Sequence, residues 1–134
     1  MTAPEPPRRE LLGGPGSDEL ASVTATEHGT TLVLTISGEV DISNIDRVAE
    51  VIYALPNTDP GLLIDLSQTS YLDSSAVSLL HDLAVRLRNR AQRLIVVSPP
   101  ETPPRRILEL TALYVNAPVA DELDGALELF RDRI

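Results

Sequence analysis

Leu62-Leu63-Ile64-Asp65-Leu66-Ser67-Gln68-Thr69-Ser70-Tyr71-Leu72-Asp73-Ser74-Ser75-Ala76-Val77 runs from a short apolar segment, through a loop, to two adjacent hydroxyls beside an acid. Asp59-Pro60-Gly61 precedes it. The length of the apolar run and its flanking breakers favour a buried central strand over a helix. A helix then begins at Asp73, with Val77, Leu80, Leu83, Ala84 and Leu87 as its inner stripe. Arg86, Arg88 and Arg90 load its last turns, where cations suit the negative end of the helix dipole.

The same pattern extends in both directions. Upstream, Leu32, Leu34 and Ile36 alternate with Val33, Thr35 and Ser37, which predicts a strand with one heavily apolar face. Ala21–Thr26 alternates more weakly, and His28-Gly29-Thr30 between the two reads as a turn, so a hairpin opens the domain. Gly38-Glu39-Val40-Asp41 ends its second strand. Ser43, with Asp46 three residues on, caps a helix whose stripe is Ile45, Val48, Ala49, Ile52 and Leu55. Pro56-Asn57 and Asp59-Pro60-Gly61 close that helix. Downstream, Leu94-Ile95-Val96-Val97 is another buried strand, stopped by Ser98-Pro99-Pro100. A third helix starts near Thr102, with Pro103 at a tolerated first-turn position. A short strand near Val115 is cut off by Pro118. Asp121 caps a last helix carrying Leu123, Ala126, Leu127, Phe130 and Ile134. The order β-β-α-β-α-β-α-β-α predicts an α/β fold, a mixed sheet flanked by helices. Residues 1–18, with Pro4, Pro6, Pro7, Pro15, Gly13, Gly14 and Gly16, read as a disordered N-terminal extension, and residues 19–134 as the domain.

Composition narrows the function. The chain has 134 residues, no cysteine, and 20 acidic against 11 basic residues, for a net charge of −9. That balance argues against a nucleic-acid binder, which draws on clustered positive charge, and favours protein partners. All the basic residues are arginine, a codon bias that points to a GC-rich, bacterial genome. With no tryptophan and one phenylalanine, the core is aliphatic and a base-stacking platform is excluded. No apolar run approaches the ~20 residues of a spanning helix, and Met1–Gly16 lacks the apolar centre of a secretory signal. A soluble cytoplasmic protein with no membrane association is expected. An enzyme is poorly supported. There is no Gly-x-Ser-x-Gly elbow, and His81 lies seven residues from Ser74 on one helix, about 10 Å along its axis. No His/Cys cluster or Gly-rich phosphate loop is present, so no metal or cofactor is implied.

The remaining chemistry sits at Asp73-Ser74-Ser75. Asp and Ser are preferred helix caps, so these residues can simply satisfy free amides. They can equally form a phosphoacceptor. A phosphate brings about −1.5 to −2 charge and three acceptor oxygens to a helix end that offers N–H groups.

Residues 63–76 resemble the signature of STAS domains, specifically the anti-sigma factor antagonists. Gly38-Glu39-Val40-Asp41 is similar to the family's Gly-Glu-Leu-Asp turn, and residues 105–113 resemble its third helix and exit. The likeness spans about residues 20–134, in the family's order of elements. It implies a switch protein. The unphosphorylated antagonist binds an anti-sigma factor that is also a GHKL-type serine kinase, and thereby releases a sigma factor. The kinase phosphorylates the serine after the aspartate, and a PPM-type phosphatase reverses this. Carried over, Ser74 is the acceptor and Ser75 the fallback. Asp73 positions the hydroxyl or caps the helix. Asp41, Ser43, Asp73, Ser75 and Ala76 make the partner surface. Ala76 and Ser78 stand where the family usually has glycine, which supports a second reading, a non-phosphorylated STAS scaffold in a larger signalling assembly. Ala112 likewise replaces a glycine before Leu113, where a left-handed backbone strains alanine.

Overall fold

The computed structural model describes residues 6–56 and 60–131. Pro4, Asn57, Asp59 and Ile134 of the sequence reading lie outside them. The elements are β1 (Arg8–Leu12), β2 (Ala21–His28), β3 (Thr31–Val40), α1 (Ile45–Tyr53), β4 (Gly61–Asp65), β5 (Thr69–Leu72), α2 (Ser74–Asn89), β6 (Arg93–Val97), α3 (Pro103–Leu110), β7 (Val119–Ala120) and α4 (Leu123–Arg131). A single 3-10 turn covers Leu113–Val115.

The strands form one mixed sheet in the order β1-β2-β3-β4-β6-β7, with β5 attached to β3. β1–β2 and β2–β3 are antiparallel, while β3–β4, β4–β6 and β6–β7 are parallel. The parallel centre explains the continuous apolar run of β4, because every residue of Gly61–Asp65 is buried. One face carries Leu34, Ile36, Leu62 and Ile64, packed with Val48 and Ile52 of α1, Leu80 and Leu83 of α2 and Leu108 of α3. The other carries Val33, Leu63, Ile95 and Val97 under Ala126, Leu127 and Phe130 of α4. Each such aliphatic side chain, fully buried, contributes about 1.5–3 kcal/mol.

The structure corrects the sequence reading in five places. Arg8–Leu12, expected to be disordered with the rest of residues 1–18, forms β1 on the edge of the sheet. Its charged residues face outward while Leu11 and Leu12 pack against the core, an amphipathic strand masked by the Pro and Gly around it. Thr69–Leu72, read as loop, is β5. Helix α1 starts after Asn44, not Ser43. Asn44 is buried, accepts from the Asp41 N–H at 3.0 Å and donates to the Glu39 carbonyl at 2.8 Å, so it builds the turn before the helix. The strand expected near Val115 is instead a 3-10 turn, and β7 follows Pro118. Asp121 does not act as a cap. It pairs with Arg105 at 2.8 Å, tying α3 to the entrance of α4.

β3 positions the site. It pairs with β4 as far as Thr35↔Asp65, then with β5 from Gly38↔Thr69. The change of partner happens at Gly38, whose φ is +91°. A Cβ there would sit 2.2 Å from the Leu20 carbonyl oxygen, so the crossing requires glycine. Thr69 Oγ1 donates to the Ile36 carbonyl at 2.6 Å and Ser70 Oγ to that of Gly38 at 3.1 Å, fastening β5 to β3. The ends of both strands therefore leave the sheet side by side, one into the 41–44 turn and the other into α2.

Candidate functional site

Asp73 joins these two segments. It is the N-cap of α2, with extended backbone. Its Oδ1 accepts from the Ser75 N–H at 2.9 Å, the Ala76 N–H at 3.2 Å and the Ser75 hydroxyl at 2.5 Å. Its Oδ2 accepts from the Ile42 N–H at 2.9 Å. The Asp73 N–H in turn donates to the Val40 carbonyl at 3.2 Å. One carboxylate thus caps the helix and latches the neighbouring turn. Burial opposes its charge. The hydrogen bonds from the Ser75 hydroxyl and from the Ala76, Ile42 and Ser75 amides outweigh that and hold the carboxyl below the usual aspartate range.

The two serines are not equivalent. Ser75 is partly buried and its hydroxyl is committed to Asp73. Ser74 is the first residue of α2 and is exposed, and its hydroxyl bonds to none of the described residues. Across the latch, Asp41 Oδ1 accepts from the N–H and the hydroxyl of Ser43 at 2.8 and 2.5 Å. Asp41, Ser43, Asp73, Ser74 and Ser75 therefore share one surface region. Ala76 does not join them. It is 3% exposed, because the third position of the helix turns toward the core, so it cannot be a partner contact. Of the two roles read for Asp73, it caps the helix, and the hydroxyl it holds is that of Ser75.

Two residues were missed by sequence reasoning. Ile42 is 78% exposed at the tip of the turn, and Tyr71 is 47% exposed on β5. Ile42 carried a signal, an apolar side chain between Asp41 and Ser43 that belongs to no stripe. Tyr71 carried none, since β5 was read as loop.

His81 Nδ1 meets Asn116 Nδ2 at 2.8 Å, and this pair joins α2 to the segment after the 3-10 turn. Among the described residues no His/Cys/Asp/Glu group is arranged to hold a metal, and no helix is long and apolar enough to cross a membrane.

The STAS domain family model matches residues 22–126. The chain belongs to the STAS domain family. Comparison with curated proteins returns no match. Among solved structures, this STAS domain is similar to an anti-sigma factor antagonist from Mycobacterium paratuberculosis. The two are 29% identical with a TM-score of 0.77, over 90% of this chain and 100% of that one. It shares its fold with the Thermotoga maritima protein tm1081, at 20% identity and a TM-score of 0.71 over 80% of this chain and 92% of that one. It also shares it with the anti-sigma factor antagonist SpoIIAA in its unphosphorylated form, at 20% identity and a TM-score of 0.63 over 84% and 98% of the two chains. Ala112 takes the left-handed backbone despite its side chain, with φ 55° and ψ 39°.

Proposed function

We propose that this STAS domain is a bacterial, cytoplasmic anti-sigma factor antagonist and not an enzyme. In this reading it binds a GHKL-type anti-sigma serine kinase while Ser74 is unmodified, frees a sigma factor, and lets go when Ser74 is phosphorylated. A PPM-type phosphatase resets it. The observation that carries the reading is the exposed Ser74 hydroxyl at the start of α2, free of hydrogen bonds to the described residues, while the hydroxyl beside it is tied down. Ser74 can enter a kinase site without any part of the fold opening. Its Oγ attacks the terminal phosphoryl group of ATP held by the partner, the hydroxyl proton is lost and ADP leaves.

The product would alter this surface strongly. A phosphoryl group adds about −1.5 to −2 charge to a surface that already carries the Asp73 and Asp41 carboxylates, and no basic side chain hydrogen-bonds into the cluster among the described residues. The dianion also competes with Asp73 for the N–H groups of Ser75 and Ala76. Either outcome changes what a partner meets next to Ile42.

Incubation with the cognate kinase and ATP, followed by mass spectrometry, is expected to place one phosphate on Ser74. Equal modification of Ser74→Ala would overturn the assignment. Ser74→Asp is expected to weaken partner binding at least tenfold. Equal affinity of that variant and the wild type would instead establish the alternative, a STAS scaffold indifferent to phosphorylation.

A further inference from the structure

Single apolar side chains on a surface are common and need no explanation. Ile42 differs in how it is held. It shares with Leu110 the highest exposure of any large apolar side chain among the described residues, 78%. Leu110 is the last residue of α3, a position where helices fray. Ile42 instead sits in a turn tied at every residue. Its own N–H donates to Asp73 Oδ2, across 31 positions of chain. The Asp41 N–H donates to Asn44 Oδ1, and the Ser43 N–H and hydroxyl donate to Asp41 Oδ1. The N–H groups of Asn44 and Ile45 donate to the Asp41 carbonyl at 3.1 and 2.9 Å. Beneath the turn, the 1% exposed Asn44 side chain donates to the Glu39 carbonyl.

The turn cannot fold its apolar tip inward without breaking this network, so the isoleucine stands in water and adds no burial to the fold. A backbone already ordered in this way loses little further freedom when the side chain enters a pocket, which favours association. The same carboxylate that caps α2 therefore holds Ile42 out, beside the residue that precedes Ser74. The surroundings are acidic. Asp41 precedes Ile42, and the exposed Asp46 lies in the first turn of α1. Arg47, the basic residue of that helix, is paired with Glu19 at 2.7 Å.

We propose that Ile42 is the apolar anchor of the surface that meets the anti-sigma kinase, and that Asp73 is its positioning residue. This role rests on the reading of Ser74 as the switch of that surface. The partner that fits has a pocket for one branched aliphatic side chain, with arginine or lysine at its rim facing Asp41 and Asp46.

The test is a calorimetric titration, without ATP, of the unphosphorylated full chain with the anti-sigma kinase used to examine Ser74. Ile42→Ala is expected to weaken binding roughly tenfold or more, and Ile42→Leu, which keeps the aliphatic volume, to stay within about threefold. Asp73→Asn keeps the helix cap but has one acceptor oxygen in place of two, so it loses the hold on Ile42 and is expected to weaken binding several-fold. In the Ile42→Ala background the same change should cost little more, which a general loss of helix stability would not produce. Equal affinity of Ile42→Ala and the wild type for a kinase that phosphorylates Ser74 would overturn the anchor alone. Fully additive effects in the double variant would overturn the role of Asp73. A kinase that needs Ile42 to bind but leaves Ser74 unmodified would overturn the switch and support the anchor. A kinase that neither binds nor modifies the wild type would overturn both.

Discussion

Replacing Asp73 with alanine leaves the amides of Ile42, Ser75 and Ala76 without their acceptor. Loss of an N-cap alone costs about 1–2 kcal/mol, and a lower urea midpoint is expected, with Asp73→Asn affected less because it keeps an acceptor oxygen. The pH dependence has a definite sign. A carboxyl held below its ordinary value of 3.8 stabilises the fold fully above that value, and this contribution is lost as pH falls through the folded one. Urea melts from about pH 6 to about pH 3 should therefore show a loss in the wild type that is smaller in Asp73→Ala. Tyr53 behaves oppositely. Burial first, then the hydrogen bond to Asp82 and the charge of Asp82, push its hydroxyl up to about 12, against the opposing effect of Arg86. Its neutral form is favoured by folding, so that stabilisation is complete below the ordinary value of 10.0 and is lost as pH climbs toward about 12. Tyr53→Phe should flatten the alkaline limb of the stability profile. At this scale the candidate site was legible in the sequence, since an acid and two hydroxyls at a helix start are visible as letters. The family resemblance ranked Ser74 over Ser75, but the residue types alone could not. Their difference is one side-chain hydrogen bond, and only the helix geometry decides which hydroxyl Asp73 reaches.

Backbone strain at element ends offers a second set of measurements. α2 closes with the Gln92 N–H on the Leu87 carbonyl and the Ala91 N–H on that of Arg88, a Schellman ending that puts Ala91 at φ 58°. Ala112 sits at φ 55° after α3. Alanine is strained in this left-handed region, so Ala91→Gly and Ala112→Gly should each raise stability by about 0.5–1 kcal/mol, read as higher melting temperatures. Gly38→Ala should do the reverse. Its Cβ would clash with the backbone of Leu20 at the point where β3 changes partners, and a loss on the order of 2–3 kcal/mol is expected from denaturant melts. The strands and helices with strong periodicity, β3, β4, α2 and β6, were legible from the apolar pattern. β5 was not, because a four-residue strand buried only at Thr69 and Leu72 has too short a period to read. The turn at Asn44 was hidden for another reason. Its side chain serves the backbone of Asp41 and Glu39, not that of the helix it precedes.

For the molecule as a whole, the edge formed by β1 matters most. Removing residues 1–12 would uncover the β2 edge and the packed sides of Leu11 and Leu12. The shortened chain is expected to lose about 1–3 kcal/mol of stability and to self-associate, as seen by denaturation and light scattering. Sequence periodicity predicted the βα succession and a mixed sheet flanked by helices, but not the half-bare second side, where α4 packs against β4, β6 and β7. That feature depends on which strands α4 reaches, and nothing local in the chain encodes it. The fork in β3 has a last consequence for timescale. β5 is paired along one side to β3, while β4 is sealed between two parallel neighbours. The segment that delivers Ser74 can thus breathe without disturbing the centre of the sheet. Deuterium uptake at Thr69–Asp73 would then register events at Ser74 within seconds, with Leu62–Ile64 staying protected far longer.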